Sequence, residues 1–187
     1  MSVLDLASGT GDLAKEAVAA LVPLGRVVAC DLSHPMLRCA SRKLSRLPTV
    51  PWHMGYAQAR AETLPFGSGR FDAASMGFAL RNVTDLDGAF RELARVVHPG
   101  GRIALLEFGR PRNFFLRIGH RLWLGLAVPV IGFLTTGKLW PFLYLRRSIL
   151  QFMPPEEVLD RLRQAGFRQP IAQPMTGGVV RLYTARR

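Results

Sequence analysis

The chain has 187 residues, enough for one domain with a full core, and 49% hydrophobic against 20% charged residues is a globular balance. Its formal net charge of +12 draws attention to anionic partners such as nucleic acid, a membrane surface or an acidic protein. Two cysteines, Cys30 and Cys39, offer neither a disulfide framework nor zinc spacing, and both read as buried small residues. The four histidines are scattered without ligand pairing, so no metal is expected, and with the first strand entered at Val3 no signal peptide is expected either. Together these predict a reducing, cytoplasmic setting.

The opening stretch, Val3-Leu4-Asp5-Leu6-Ala7-Ser8-Gly9-Thr10-Gly11-Asp12-Leu13-Ala14, reads as strand, glycine turn and helix. Glycines allow a sharp turn and close approach of a ligand to the main chain, and the free N–H groups of the following helix point into the same space. Gly9-Thr10-Gly11-Asp12-Leu13-Ala14 fits the dinucleotide pattern, but Asp12 and Asp5 would repel a pyrophosphate. S-adenosylmethionine has no phosphate and carries an ammonium and a sulfonium, so the carboxylates favour it.

A helix is expected over 12–22, stopped by Pro23 and Gly25, then a strand over 26–30 ending at Asp31. Asp31 lies 22 residues beyond Gly9, the spacing of an acidic residue that holds a ribose diol. Ser33 caps a helix reaching about residue 47, with Pro35 in its first turn. Strands follow over 49–56 and 71–78, and Thr84 or Asp85 caps a helix over 86–97. Pro99-Gly100-Gly101 turns into a fifth strand over 102–108. This alternation predicts an α/β fold with a mostly parallel sheet.

Residues 111–155 break the rhythm. From Phe108 to Pro155 there is no acidic residue, while Arg110, Arg112, Arg117, Arg121, Lys138, Arg146 and Arg147 contribute +7. Gly119, Gly125, Pro129 and Gly132 are expected to bend any helix here. The longest uncharged run, residues 122–137, is 16 residues long and contains Pro129, which reads as too short and too interrupted to span a bilayer. The segment suits a lid over an apolar substrate, a membrane-interface segment or a buried helical insertion. Since 22 of the 25 basic residues are arginine, compositional bias is a competing source of the charge. A last helix over 155–165 and strands over 167–174 and 179–185, joined through Met175-Thr176-Gly177-Gly178, complete a seven-stranded Rossmann-like sheet ending in an antiparallel hairpin. One domain over 1–187 is expected.

The opening stretch resembles motif I of the ubiquinone/menaquinone biosynthesis C-methyltransferases. So do Ala61-Glu62-Thr63-Leu64-Pro65-Phe66, Leu80-Arg81-Asn82-Val83-Thr84-Asp85, Arg95-Val96-Val97-His98-Pro99-Gly100-Gly101-Arg102, Tyr144-Leu145-Arg146-Arg147-Ser148-Ile149 and Thr176-Gly177-Gly178-Val179-Val180. The resemblance is collinear over the whole chain. It implies a class I methyltransferase moving a methyl group from S-adenosylmethionine to a ring carbon of a prenylated quinol. It also implies cofactor contacts at Asp5, Gly9, Thr10, Gly11, Asp31, Arg60, Ala61 and Gly77.

Three departures stand out. The family usually has Asp or Asn where this chain has Arg60, which cannot accept from the adenine amino group; that leaves recognition to the Ala61 backbone or lowers affinity. Gly77 stands where some members have Ser. The family's helical region before motif I is not in this chain.

Arg81 is the first candidate for a polar contact to the quinol oxygen, a fixed cation favouring phenolate over phenol; the competing reading is an ion pair with Asp85 or Asp87. Asn82 is an orienting residue, Tyr144 and His120 are acid/base candidates, and Glu107 is an alternative pocket acid. The apolar, basic segment predicts peripheral contact with the inner face of the membrane. A homo-oligomer is compatible with the sequence. Nucleic-acid methylation is disfavoured, because Gly77-Phe78-Ala79-Leu80 replaces the Asp/Asn-Pro-Pro-aromatic motif. A nicotinamide-dependent oxidoreductase is disfavoured by Asp12 and the terminal hairpin. A non-catalytic methyltransferase fold that binds a membrane or partner, and a methyltransferase for another small apolar substrate, are the remaining alternatives.

Overall fold

Residues 1–21, 25–46, 53–111 and 113–187 are described by a computed structural model of the chain. Strands β1 (Ser2–Leu6), β2 (Arg26–Asp31), β3 (Met54–Gln58), β4 (Phe71–Gly77), β5 (Val97–Phe108), β6 (Arg168–Met175) and β7 (Val180–Arg186) form one sheet of order β3-β2-β1-β4-β5-β7-β6. Pairing is parallel from β3 through β5 and antiparallel at β5–β7 and β7–β6. The expected architecture, including the terminal hairpin, is therefore present. Part of the expected third strand and the end of the second helix lie outside the described residues, as do Val22 and Pro23 at the stop of the first helix.

Helices α1 (Asp12–Leu21) and α2 (His34–Leu44) pack on one face of the sheet through Ala14, Val18, Leu37 and Leu44 against Val3, Val27 and Ala29. Ser33 caps α2 as expected, accepting from the Met36 amide. Helices α3 (Leu86–Val96) and α7 (Pro155–Gln164) cover the other face, where Phe90, Leu93, Val158 and Leu162 meet Leu4, Met76, Ile103, Leu105 and Tyr183. Each such Leu or Phe removed from water contributes about 1.5–3 kcal/mol. Asp85, not Thr84, caps α3, accepting from the Gly88 amide. The Pro99-Gly100-Gly101 turn lies inside β5, where the register jumps from Phe71↔Val97 to Ala73↔Arg102.

The two faces are unequally covered. A strand inside a parallel sheet ordinarily buries both faces. Here α1 and α2 lie over β1–β3, with Leu13 of α1 reaching Gly77 of β4, and Arg102 and Ala104 of β5 are exposed. With Ile171, Thr184 and Arg186 they border an open depression of about 420 Å³.

Between β5 and α7 the chain forms a helical hairpin. Helix α4 (Phe114–Leu122), a π-turn over Trp123–Ala127 and helix α5 (Val128–Thr136) run on as one 23-residue helical rod. This corrects the expectation of a broken segment too short to span a bilayer: by length and composition alone the rod suffices to cross one. The π-turn explains the continuity. Val128 donates to the Trp123 carbonyl, five residues back, just before Pro129, which has no N–H to give. The helix continues through Gly132; a Cβ there would lie 2.4 Å from the Phe142 ring, so the glycine lets α6 (Trp140–Gln151) pack close. Gly137, at φ +69°, turns the chain between them. Cys30 is buried, but Cys39 faces solvent on α2, against expectation.

One charged group sits deep under the glycine turn. Asp5 is fully buried in β1; Ser75 donates to its Oδ1, and Oδ2 has no hydrogen-bond partner. Burial pushes its carboxyl up from 3.8 to about 6, with the Ser75 hydroxyl and the Ala14 amide offsetting part of the effect. The folded state thus holds this proton more tightly than the unfolded chain, and stability falls as pH rises through 4 to 6. Asp5→Asn removes the term. Its stability relative to the parent, from urea unfolding without ligand, should rise by about 2 kcal/mol between pH 4.5 and 7.5. A pH-independent difference would show that Asp5 is not protonated in the fold.

Candidate active site

The carboxyl ends of β1, β2 and β4 and the segment after β3 open onto a cavity of about 410 Å³. The order β3-β2-β1-β4 lays its walls out in sequence. Residues 59–62 stand at one end, Asp31, Leu32, Ser33 and Met36 come next, and Ala7, Gly9, Gly77 and Phe78 stand at the other. This is the strand-end crevice where α/β sheets bind ligands.

Asp31 organises the floor. Its Oδ2 accepts from the Gly9 amide and its Oδ1 from the Ser33 amide, both at 2.8 Å. A carboxylate oxygen has two lone pairs, so each keeps one for a diol. Gly9 has φ +54° and nothing within 4 Å of where a Cβ would stand, leaving bare main chain toward the cavity. Gly11, at φ +79°, instead packs on Ala40 and Leu44 of α2. Two non-glycine residues, Ala7 (φ +53°) and Phe78 (φ +56°), hold left-handed conformations at the ends of β1 and β4. Each costs about 1–3 kcal/mol, so the surrounding packing must enforce them. For Phe78 part of that packing is visible: its ring lies 4.6 Å from that of Phe108.

Of the expected cofactor residues, Gly9, Asp31, Arg60, Ala61 and Gly77 line the cavity. Asp5, Thr10 and Gly11 do not: Asp5 lies beneath the turn, and Thr10 turns outward. Its hydroxyl donates to Asp12, whose carboxylate pairs with Lys43 at 2.7 Å. The electrostatic reading of Asp12 therefore needs correcting. Its charge is spent on α2, outside the cavity, and the Lys43 hydrogen bond holds its carboxyl below the usual range. Gly77 is tight: a Cβ would come within 2.6 Å of Leu13. The Arg60 guanidinium lies 3.6 Å from Glu62, a cavity residue not singled out from sequence.

Two of the three candidate catalytic residues, Asn82 and Tyr144, meet across 62 residues of sequence, and Arg81 is the chain neighbour of Asn82. Asn82, on the 3₁₀ turn Leu80–Asn82, lines the first cavity and accepts at 3.1 Å from the Tyr144 hydroxyl of α6. Tyr144 and Arg81 line a second, larger cavity of about 810 Å³, together with Trp140, Leu143, Phe152 and Met153. The Asn82–Tyr144 bond thus stands between the two. His120 lines neither cavity; burial lowers its imidazole below the usual value.

Arg81 is ion-paired, and its partner is neither Asp85 nor Asp87. Its Nη1 donates to Glu107 Oε1 at 2.5 Å and to the Phe78 carbonyl at 2.7 Å, and its backbone amide reaches Glu107 Oε2 at 3.2 Å. The guanidinium also lies 5.1 Å from the Phe108 ring centre. Glu107 is fully buried and also accepts from the Phe108 amide. A carboxylate committed to three donors holds the turn in place. Asp85 instead caps α3, and Asp87 pairs with Arg161 of α7.

Residues 1–187 match the model of the ubiE/COQ5 methyltransferase family. The chain is 37% identical over 183 residues to the ubiquinone/menaquinone biosynthesis C-methyltransferase UbiE of Shewanella woodyi, covering 98% of this chain and 72% of that one. It is 34% identical to the demethylmenaquinone methyltransferase of Protochlamydia amoebophila, covering 98% and 76%. Among solved structures, a SAM-dependent methyltransferase from Aquifex aeolicus superposes with a TM-score of 0.69 at 18% identity, over 99% of this chain and 81% of that one. A phosphoethanolamine N-methyltransferase from Haemonchus contortus in complex with S-adenosyl-L-methionine gives 0.69 at 14% identity, over 100% and 48%. The structural likenesses carry the fold, and the sequence match carries the family: the chain belongs to the ubiE/COQ5 methyltransferases.

Proposed function

We propose that this protein transfers a methyl group from S-adenosylmethionine to a ring carbon of a prenylated quinol in menaquinone or ubiquinone biosynthesis. The observation that carries the reading is the Asn82–Tyr144 pair, set between an adenosyl-sized cleft and a larger cavity of mixed lining, where Trp140, Leu143, Phe152 and Met153 stand beside Arg81, Asp87, Arg147 and Arg161, in a chain of this family. The residues fit the cofactor. Asp31 offers lone pairs to a ribose diol, Gly9 leaves room over the main chain, and Leu32 and Met36 supply apolar walls. When bound, the cofactor supplies an electrophilic methyl group on sulfur.

The chain's own residues orient and polarise the acceptor. The Asn82 amide N–H groups remain free to donate to a ring oxygen, because its Oδ1 is taken by Tyr144. The Tyr144 oxygen keeps lone pairs toward the second cavity and accepts from a ring hydroxyl. That hydrogen bond polarises the ring O–H; as the hydroxyl proton passes to water, electron density rises at the adjacent carbon, the atom to be methylated, and the ring proton that the methyl replaces leaves to water in turn. Holding the two reactants in line supplies up to about 7–11 kcal/mol. Arg81 acts through Glu107: the pair fixes the 80–82 turn that presents Asn82.

The substrate's tail gives the helical hairpin a role. Phe115, Leu126, Leu134 and Trp140 are exposed, and Arg117, Arg121 and Lys138 punctuate the same hairpin. We assign this surface to anionic membrane at the inner, cytoplasmic face, each basic residue contributing about 1 kcal/mol at the headgroups. The rod lies in the interface rather than across it, because Arg117 and Arg121 fall within its first third.

Four outcomes follow. Incubation with methyl-labelled S-adenosylmethionine and a demethylmenaquinol in mixed micelles should give labelled menaquinol; cofactor binding without transfer to either quinol class would overturn the substrate. Asn82→Ala should lower kcat/KM by about 100-fold and Tyr144→Phe by about 10-fold with cofactor affinity kept, in the range of single hydrogen-bonding and acid–base contributions. Glu107→Gln and Arg81→Ala should each cost about 3–5 kcal/mol in urea unfolding, since either leaves a buried partner unpaired. Full stability of Arg81→Ala with lost activity would restore Arg81 as a substrate contact. The chain should float with vesicles containing phosphatidylglycerol but not with purely zwitterionic ones; equal behaviour would remove the charge from the membrane argument.

A further inference from the structure

The cavity end formed by residues 59–62 poses a chemical problem. An adenine presented there carries an amino group that needs an acceptor. Arg60, where the resemblance leads one to expect a small acceptor, has only donors. The acceptor is two residues away. Glu62 lines the cavity, is mostly buried, and apart from Asp31 supplies the only carboxylate among the described residues lining it. Neither of its oxygens is committed to a strong bond. Oε2 lies 3.6 Å from Arg60 Nε, and Oε1 accepts from the Asp85 amide at a long 3.4 Å.

Topology places Glu62 at the right end. Asp31 at the tip of β2 takes the ribose, and residues 59–62 leave β3, the neighbour of β2 on the side away from β1. The base therefore extends from Asp31 over the residues that follow β3, and the methionine part extends the other way toward Gly77. We infer that Glu62 is the acceptor for the adenine amino group in this chain, with Arg60 holding its carboxylate toward the cleft by charge. The adenine N–H donates to a Glu62 oxygen, and the arrangement reassigns to an acid–base pair what a single short side chain would do. A charge-assisted hydrogen bond of this kind distinguishes an amino group from a carbonyl by about 10- to 100-fold in affinity.

The inference rests on the adenosyl reading of the cleft, and the experiment separates the two. Calorimetry is run on the full chain with S-adenosylhomocysteine and with S-inosylhomocysteine, in which a carbonyl replaces the amino group. The parent should bind the adenosyl compound at least tenfold more tightly. Glu62→Ala should bring the two affinities to within about threefold, mainly by weakening the adenosyl compound. Glu62→Gln, which keeps an acceptor oxygen, should retain part of the preference. Thermal melts of each variant without ligand confirm folding. Retention of the full preference in Glu62→Ala, or equal binding of both compounds by the parent, overturns the assignment of Glu62 while leaving the cleft an adenosyl site. Failure of the parent to bind either compound overturns the cleft reading itself.

Discussion

The Asp31 carboxylate accepts the Gly9 amide on one oxygen and the Ser33 amide on the other. Those two amides belong to the turn after β1 and to the start of α2, so a single side chain fixes the separation between them. Were it absent, two backbone donors at the strand ends would lose their partners, at a cost of about 1–3 kcal/mol each where water cannot replace them. The turn that carries the left-handed Ala7 is held from the same strand as Asp31 by a second bond, the Ser8 amide donating to the Cys30 carbonyl at 3.0 Å. The same carboxylate then faces the cleft with lone pairs to spare. Architecture occupies one lone pair on each oxygen and leaves the other open to the cleft.

The second fixed point is the Glu107 carboxylate at the end of β5, which gathers the Arg81 guanidinium and the amides of Arg81 and Phe108. It anchors the 80–82 turn from below, as Asp31 anchors the glycine turn. Between these anchors lies the Asn82 amide. The candidate site is thus made of small groups on short turns, each held by a carboxylate that is itself buried or half-buried.

Much of this was legible in the sequence. The alternation of apolar runs with capped amphipathic helices carries the sheet, because binary patterning and cap chemistry are local. The Gly9–Asp31 spacing carried the meeting of Asp31 with the glycine turn, since the first βα unit fixes that distance. What escaped was long-range or conformational. The partner of Arg81 was sought at Asp85 and Asp87 because they are near in sequence, whereas Glu107 is 26 residues away on β5. Asp12 looked like a cavity charge because Lys43 comes from the next helix. Phe78 and Ala7 gave no sign of positive φ, since neither is a residue type that favours it. The rod over residues 114–136 was misread because proline and glycine ordinarily end helices, and a π-turn that removes the conflict leaves no mark in composition.

The strand order has a consequence for how the molecule is assembled. β1, the first of the seven strands in sequence, is an interior strand, and β7, the seventh, is interior too, wedged between β5 and β6. The cleft walls come from residues 6–84, so they exist before the helical hairpin has been synthesised, whereas the neighbouring cavity waits for residues 140–161. β6 touches the sheet only through β7. The final seven-residue strand therefore closes the sheet, and a chain halted before it would carry an adenosyl-sized cleft on a sheet with β5 as a bare edge.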